Sequence, residues 1–436
     1  MKIPRGVSYH KVDDKIFVHN VDTLQDYLLD GSAGEILDYV AAHPNSSVPE
    51  LLKFFASKYD DAYETIGDFV DEMLAEKIFI EAEDFEETPS AEIIEEVETR
   101  FLKSNRLFSL MAELTYRCAE KCVHCYIDDT APFCAKNELT TDDWKNILRQ
   151  ARKTGCVKVL FTGGEVLLRP DLCDLVDYAV ELGFIVDVYT TGLGMTDEIF
   201  DRLCAAKVNS VSFSLYGGDA ASHDAITGVR GSFDKTLMAM LMFKSAGVGT
   251  FIKSVAIKQN FNALEGLYKL GKRLKIHVSI STQIGSGREW KRAEDYRLGK
   301  AQLYEKFFAL DAKFSQRKIS AKSPQELDKI RDKLVCAAGL NSMRIDPFGE
   351  TYPCTHFQNS FGNARIKGIS ELWSNINAVS RKKIPIVREL TPKCSACRHV
   401  EFCHMCLAEF ERTDMSDCGN VLVEARAATK AYGQLT

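Results

Sequence analysis

The sequence predicts an α/β protein built on a parallel sheet, barrel or partial barrel, with a small α+β module in front and a cysteine-rich tail behind. Three observations carry this. Between residues 109 and 283, six short apolar runs alternate with helical patterns, the rhythm of repeated βα units. Charge changes sign near residue 100: residues 1–100 hold 24 acidic and 8 basic side chains, net −16, and the rest of the chain is net +9. From about residue 330 the chain turns loop-rich and holds seven of its fourteen cysteines.

In the front module, GVSYHKVDDKIFVHN (6–20) shows two alternating runs around Asp13-Asp14, the signature of a β-hairpin. Helical patterns follow over 32–43, over 47–59 with Ser47 as N-cap, and over 61–76. KIFIEAE (77–83) closes as a strand. The reading is a winged-helix-like α+β domain over residues 1–85, followed by an acidic linker, solvated or an exposed helix, over 86–106.

The βα region is predicted over residues 107–305. Its strands are 109–115, 157–161, 184–190, 210–215, 250–257 and 276–283; its helices are 141–153, 171–182, 196–206, 232–246 and 261–274. In such a fold the functional loops gather at the C-terminal ends of the strands. A helical bridge (306–332) leads to the tail (333–436).

Composition narrows the function. The 436-residue chain has net charge −7 and mean hydropathy −0.16. No run approaches the ~18 apolar residues of a membrane span. The start, MKIPRGVSYHKVDD, lacks the apolar region of a secretion signal. The expectation is a cytoplasmic protein with no membrane and no nucleic-acid partner. In a reducing compartment, clustered thiols point to metal rather than to disulfides.

Directly after the first strand of the βα region comes Cys118-Ala-Glu-Lys-Cys122-Val-His-Cys125-Tyr126. Three thiols in one short loop can wrap a four-iron cluster and leave one iron open. They can also bind zinc, with His124 as the nearest fourth ligand. The second strand ends in Thr162-Gly163-Gly164-Glu165. Paired glycines permit close backbone approach, and a carboxylate there can accept hydrogen bonds from an ammonium group.

With CxxxCxxC and an aromatic residue followed one βα unit later by GGE, residues 108–300 resemble the radical S-adenosylmethionine (SAM) family. The resemblance implies a partial (β/α)6 TIM-type barrel in which Cys118, Cys122 and Cys125 hold a [4Fe-4S] cluster whose open iron chelates SAM. Glu165 and the Gly163–Gly164 backbone would hold the SAM amino group, and Tyr126 would lie near the adenine. Ser214 in SVSFSLYGG and Arg230 in ITGVRGSF match positions that touch the ribose or carboxylate. Tyr216 stands where members often have Asp. The implied chemistry is reductive cleavage of SAM and hydrogen-atom abstraction by a 5′-deoxyadenosyl radical, with electrons from a partner such as flavodoxin or ferredoxin.

The tail orders its cysteines as Cys336-x12-Gly349-x4-Cys354, then Cys394-x2-Cys397-x5-Cys403-x2-Cys406, then Cys418. A zinc ribbon needs only four of these. Together with the upstream loop, the pattern resembles the SPASM extension of radical SAM enzymes, which implies two auxiliary [4Fe-4S] clusters and three in all. By that resemblance Cys394, Cys397, Cys403 and Cys418 ligate the outer cluster, and Cys336, Cys354 and Cys406 the inner one. The last pair is spaced x2 where x3 is usual, and no further cysteine lies between 336 and 354. His356 and His404 are the neighbouring candidates for a non-cysteine position. Cys156, Cys173 and Cys204 read as small buried hydrophobes. Cys134 is a candidate hydrogen-atom donor or loop stabiliser.

Residues 1–85, with the hairpin and the YLLDGSAGEILDYV segment, resemble the PqqD-like recognition domain of ribosomal-peptide maturation systems. There a leader peptide adds as a strand at a sheet edge and packs on a helix. The combined expectation is a peptide-modifying enzyme: the leader binds residues 1–85, the core peptide enters the barrel, and a thioether crosslink forms, as in sactipeptide or ranthipeptide maturases. Carbon–carbon crosslinking, epimerisation and side-chain oxidation are the alternatives within enzymes. Some haem-pathway radical SAM enzymes share a SPASM-like tail, but a peptide-binding front module would be wasted on a tetrapyrrole. From another class, a winged-helix front and a zinc-ribbon tail fit a metal-sensing DNA-binding protein, which the acidic front disfavours.

Overall fold

The protein is described here from a computed structural model covering all residues except 1–2, 4–5, 22, 24, 44–45, 47, 57–61, 77, 80–90, 128–136, 285–294, 315–321, 404–405, 407, 409–418 and 433–436. Cys134, His404, Cys418 and most of KIFIEAE lie outside the described residues.

The front module is a three-stranded antiparallel sheet in the order β1 (Val7–Val12), β2 (Lys15–Asn20), β3 (Gln25–Asp30). The β1–β2 turn takes Asp13 at φ 56°, the left-handed conformation that a tight hairpin requires. Alternation along β2 gives the sheet two apolar faces. Ile16 and Val18 pack on α1 (Gly31–Ala42), α2 (Val48–Ala56) and α3 (Ala62–Ala75). Val12 and Phe17 pack on the other side, against Val97 and Phe101 of α4 (Ala91–Ser104) and against Phe108, Val157 and Ile185.

Two expectations are corrected here. A third strand not expected from the sequence precedes the helices, because QDYLLD pairs with β2; of the strand expected over 77–83 only Ile78 and Phe79 are described, both buried in a bend. The stretch expected as a linker contains α4, whose Val97 and Phe101 are fully buried. Each such side chain contributes about 1.5–3 kcal/mol, enough to fix that segment against its neighbours.

Among the described residues the main sheet has eight strands. Six parallel strands follow chain order: β4 (Ser109–Thr115), β5 (Lys158–Gly163), β6 (Ile185–Thr190), β7 (Ser210–Ser214), β8 (Gly249–Val255) and β9 (His277–Ser281). Helices α5 (Thr141–Lys153), α6 (Leu172–Glu181), α7 (Asp197–Ala206), α8 (Ala220–Thr227), α9 (Ser232–Ser245) and α10 (Leu264–Leu274) connect or flank them. Helix α5 starts with a capping box, Thr140 Oγ1 accepting from Asp143 N and the Asp143 carboxylate from Thr140 N. Leu110, Ala112, Leu114, Val159, Phe161, Val186, Val188 and Phe213 pack against the helices. The alternate positions, among them Glu113, Thr115, Asp187, Ser212 and Ser214, face the inside of the partial barrel.

The tail completes the sheet. β10 (Ser342–Ile345) runs parallel to β4, and β11 (Thr351–Tyr352) pairs antiparallel with β10. Helix Ala301–Phe314 packs on the C-terminal helix Gly419–Tyr432 through Tyr304, Phe307, Phe308, Ala427, Ala428 and Tyr432.

Phe108, Val157 and Ile185 stand at the N-terminal starts of barrel strands. The front module therefore covers the end of the barrel opposite the strands' C-terminal loops. A polar seam reinforces the contact. His19 bonds Asp26 (2.7 Å) and Asn209 (2.9 Å), and Asn209 Nδ2 donates to Asp187 (2.7 Å), which also pairs with Lys158 at 2.6 Å.

Candidate active site at the C-terminal ends of the barrel strands

The loop after β4 carries Cys118, Cys122 and Cys125, and backbone pairing fixes its course. Lys121 N donates to Thr227 O (2.8 Å) and Val123 N to Ile226 O (3.1 Å). Burial pushes the Cys118 thiol up to about 12 and the Cys122 thiol further. The three thiols are close enough to act on one another electrostatically. Among the described residues, no three His, Cys, Asp or Glu side chains converge tightly enough to hold a single metal ion. Beside the loop, burial raises Glu120 to about 7, and its Oε2 accepts from the Cys122 thiol at 3.3 Å.

The GGE segment is laced to the same loop. Gly164 N donates to Thr115 O (2.7 Å) and Glu165 N to Arg117 O (2.8 Å). A Cβ on Gly164 would press on the Arg117 carbonyl and stand 2.7 Å from the Tyr116 carbonyl oxygen. Gly163, at φ 145°, lies equally close to the Thr115 backbone. The glycines are thus required for the approach of the chain's own backbone, just before Cys118.

Glu165 is buried (1% exposed), and both its oxygens are occupied. Oε1 accepts from Thr190 Oγ1 (2.6 Å) and Leu167 N (3.0 Å); Oε2 accepts from Thr191 N (2.6 Å) and from Thr191 Oγ1. Burial raises its pKa, and these bonds oppose the rise. The carboxylate is therefore held in one orientation between the ends of β5 and β6.

Tyr126 donates its phenol hydrogen to Glu113 Oε1 (2.7 Å). Ser214 ends β7, half-buried. Tyr216 is buried, edge-on to His124 (ring centroids 4.6 Å apart) and stacked on His223 (5.7 Å). Arg230 lies exposed on the turn between α8 and α9.

In the tail, Ala338 N donates to Cys336 Sγ (3.3 Å) and His356 N to Cys354 Sγ (3.4 Å), while His356 Nδ1 lies 3.5 Å from Cys406 Sγ. Cys336 and Cys354 interact electrostatically. His356 thus lies beside both Cys354 and Cys406. Cys394, Cys397 and Cys403 follow on two successive 3-10 turns, with Cys394 Sγ 3.1 Å from Thr391 Oγ1.

Sequence reasoning missed several residues. Arg169 is buried and donates to both Asp171 oxygens (2.8 and 2.6 Å) and to the Leu114 and Leu139 carbonyls (3.1 and 3.0 Å). Its place four residues after Glu165 could have flagged it. Glu113 and Arg344 gave no local signal.

Residues 112–271 match the family model of the Radical SAM superfamily, and residues 336–421 match that of the SPASM iron–sulfur cluster-binding domain. The chain carries a radical SAM domain followed by a SPASM domain. Among curated relatives, the AdoMet-dependent heme synthase of Methanosarcina barkeri (strain Fusaro) is 28% identical over 319 residues, spanning 68% of this chain and 90% of that protein. Its namesake from Nitratidesulfovibrio vulgaris (strain Hildenborough) is 24% identical over 319 residues, 68% of this chain and 86% of that one. In fold, the chain is similar to Streptococcus suis SuiB bound to precursor peptide SuiA (TM-score 0.56, 19% identity, 95% of this chain and 98% of that one). It is also similar to anSMEcpe with bound AdoMet and Kp18Cys peptide (TM-score 0.58, 16% identity, 75% and 97%).

Proposed function

We propose that this protein modifies a ribosomally made precursor peptide, binding the leader on a PqqD-like module over residues 1–85 and admitting the core peptide to the mouth of the barrel. The observation that carries the reading is the front sheet. Among the described residues, the outer edge of β3 pairs with no other strand, which leaves its amides and carbonyls for an added strand. The SuiB fold covers 95% of this chain and so includes that module. The heme synthase alignments leave about a third of the chain unmatched.

At the other end of the barrel, Cys118, Cys122 and Cys125 would hold the SAM-binding [4Fe-4S] cluster. Three thiols spaced along one short loop suit ligands to separate irons of one cluster. When bound, the cluster and SAM supply an electron transfer that ends in hydrogen-atom abstraction from the substrate. Gly163 and Gly164, through their backbone, and Glu165, held between the ends of β5 and β6, would hold the SAM amino group. Ser214, Tyr126 and Arg230 complete the proposed SAM set. Cys336, Cys354 and Cys406 would hold the inner auxiliary cluster and Cys394, Cys397, Cys403 and Cys418 the outer one. Three thiols for the inner cluster leave a position for a substrate thiolate, which favours a thioether product. A soluble reductant such as flavodoxin or ferredoxin would serve it, in the cytoplasm.

The test is anaerobic incubation of the reconstituted protein with SAM, a low-potential reductant and the short peptide encoded beside its gene, read by mass spectrometry. The expected product is lighter by two hydrogen atoms per crosslink, and a leaderless peptide stays unmodified. The heme synthase names of the curated relatives favour a second reading, a tetrapyrrole substrate. An unchanged peptide together with turnover of a tetrapyrrole would establish that reading instead.

A further inference from the structure

The inner wall of the barrel carries a buried ionic group that neither radical chemistry nor the cysteine sets require. Glu113, on β4, is fully buried. Its Oε2 accepts from Arg344 Nη1 at 2.7 Å and from the Tyr116 hydroxyl at 2.9 Å; its Oε1 accepts from the Tyr126 hydroxyl at 2.7 Å. Arg344 comes from β10, in the tail, and its guanidinium lies 4.1 Å from the centroid of the Tyr352 ring on β11. The carboxylate is therefore shared between the tail hairpin and the residue that follows Cys125.

Isolated, Glu113 would be costly to bury, since an uncompensated charge in a protein interior costs several kcal/mol. Arg344 removes that cost. Burial opposes the Arg344 charge, but Glu113 and the two tyrosines offset it and hold the guanidinium pKa above its ordinary value. The bond from Arg344 Nη1 holds the Glu113 carboxylate in the rotamer that lets Oε1 accept from the Tyr126 phenol.

The geometry points to Arg344 as a positioning residue for the three-cysteine loop: through Glu113 it anchors Tyr126, and so the Cys125 end of the loop, to the tail hairpin. The SPASM hairpin is then a structural arm of the first site as well as the carrier of its own cysteines. The inference rests on the reading of Cys118, Cys122 and Cys125 as a ligand set. Its test needs no bound cluster.

The measurement is the hydrogen-exchange rate of the Cys125 amide, which donates to Cys122 O at 3.0 Å, in the apo chain kept anaerobic and read by mass spectrometry, with alkylation of buried Cys173 as internal control. Tyr126→Phe removes only the last link and should raise the Cys125 rate about fivefold, the factor that one lost hydrogen bond is worth. Arg344→Met should raise it at least as much. Because that variant strands a buried carboxylate, Glu113→Gln/Arg344→Met serves as its folded counterpart. Adding Tyr126→Phe to the Glu113→Gln/Arg344→Met background should give a smaller increase than in the wild type, since the amide that replaces the carboxylate is a weaker acceptor for the same phenol. An unchanged Cys125 rate in Tyr126→Phe and in the double variant overturns the inference. So does an equal rise at Cys173, which signals general loosening. Iron binding of the wild-type chain reports separately on the ligand-set reading, so the two can fail independently.

Discussion

The α-carbon of Gly164 lies under the carbonyl of Arg117, too close for any side chain. The strand that ends in GGE and the loop that leads to Cys118 are thereby stacked backbone on backbone. Gly164→Ala should cost about 2 kcal/mol or more of stability and lower iron retention after reconstitution. Gly266→Ala is the matched control, because a Cβ there makes only an ordinary contact 3.6 Å from Gly218. In helix α10 it should stabilise by about 0.5–1 kcal/mol. Urea unfolding of both variants checks the contrast.

Iron stoichiometry tests the ligand sets. Three four-iron clusters give about twelve irons per chain, and Cys118→Ala/Cys122→Ala/Cys125→Ala should reduce this to about eight. Four irons in the wild type with stoichiometric zinc would make the tail cysteines a structural zinc site. Iron, acid-labile sulfide and zinc are measured on the same samples.

Asp346, beside Arg344, carries a pH dependence of defined sign. Burial raises its pKa to about 6 from an ordinary value near 3.8, although Phe348 N and Glu350 N each donate to its Oδ1 at 2.9 Å. A raised value means that the native state holds the proton more tightly than the unfolded chain. The associated stability is present in full below pH ~4 and is lost as pH rises through about 6. Asp346→Asn keeps the Oδ1 acceptor and removes the charge. It should therefore gain about 2 kcal/mol at pH 8 relative to wild type and little at pH 4. Urea midpoints at the two pH values decide this.

Phe101 ties α4 to both the front sheet and the barrel. Phe101→Ala should cost about 3–5 kcal/mol, the usual range for a fully buried phenylalanine. Phe54, 41% exposed on α2, should cost under about 1 kcal/mol when changed to Ala. Equal effects in chemical denaturation would mean that α4 is not part of the cooperative core.

Much of the barrel was legible because its strands are apolar runs bounded by turn residues. All six fell within two residues of their observed ends, and helix α5 matched at both. β3 was hidden: QDYLLD carries two acidic residues and leads straight into α1, so its pairing with β2 depends on the hairpin before it. Helix α8 is only eight residues long and has no apolar periodicity to announce it. In the site, the three-cysteine loop and GGE are local patterns and could be read. Glu113 and Arg344 are 231 positions apart, and nothing in either neighbourhood signals the other. Glu165 was expected from GGE to hold the SAM amino group; its bonds to Thr190, Thr191 and Leu167 depend on the fold and had no local signal.

The placement of the front module at the N-terminal ends of the strands sets a distance. β4 is seven residues long, so the two ends of the barrel are separated by roughly 23 Å at ~3.3 Å per residue. On the proposed reading, a leader bound at the β3 edge and a core peptide admitted at the opposite mouth would be held apart by a distance of that order. The front module would then act as a ruler. The spacer between the bound segment and the first modifiable residue would need about seven extended residues, and shortening it below that length would take the target out of reach however tightly the leader is held.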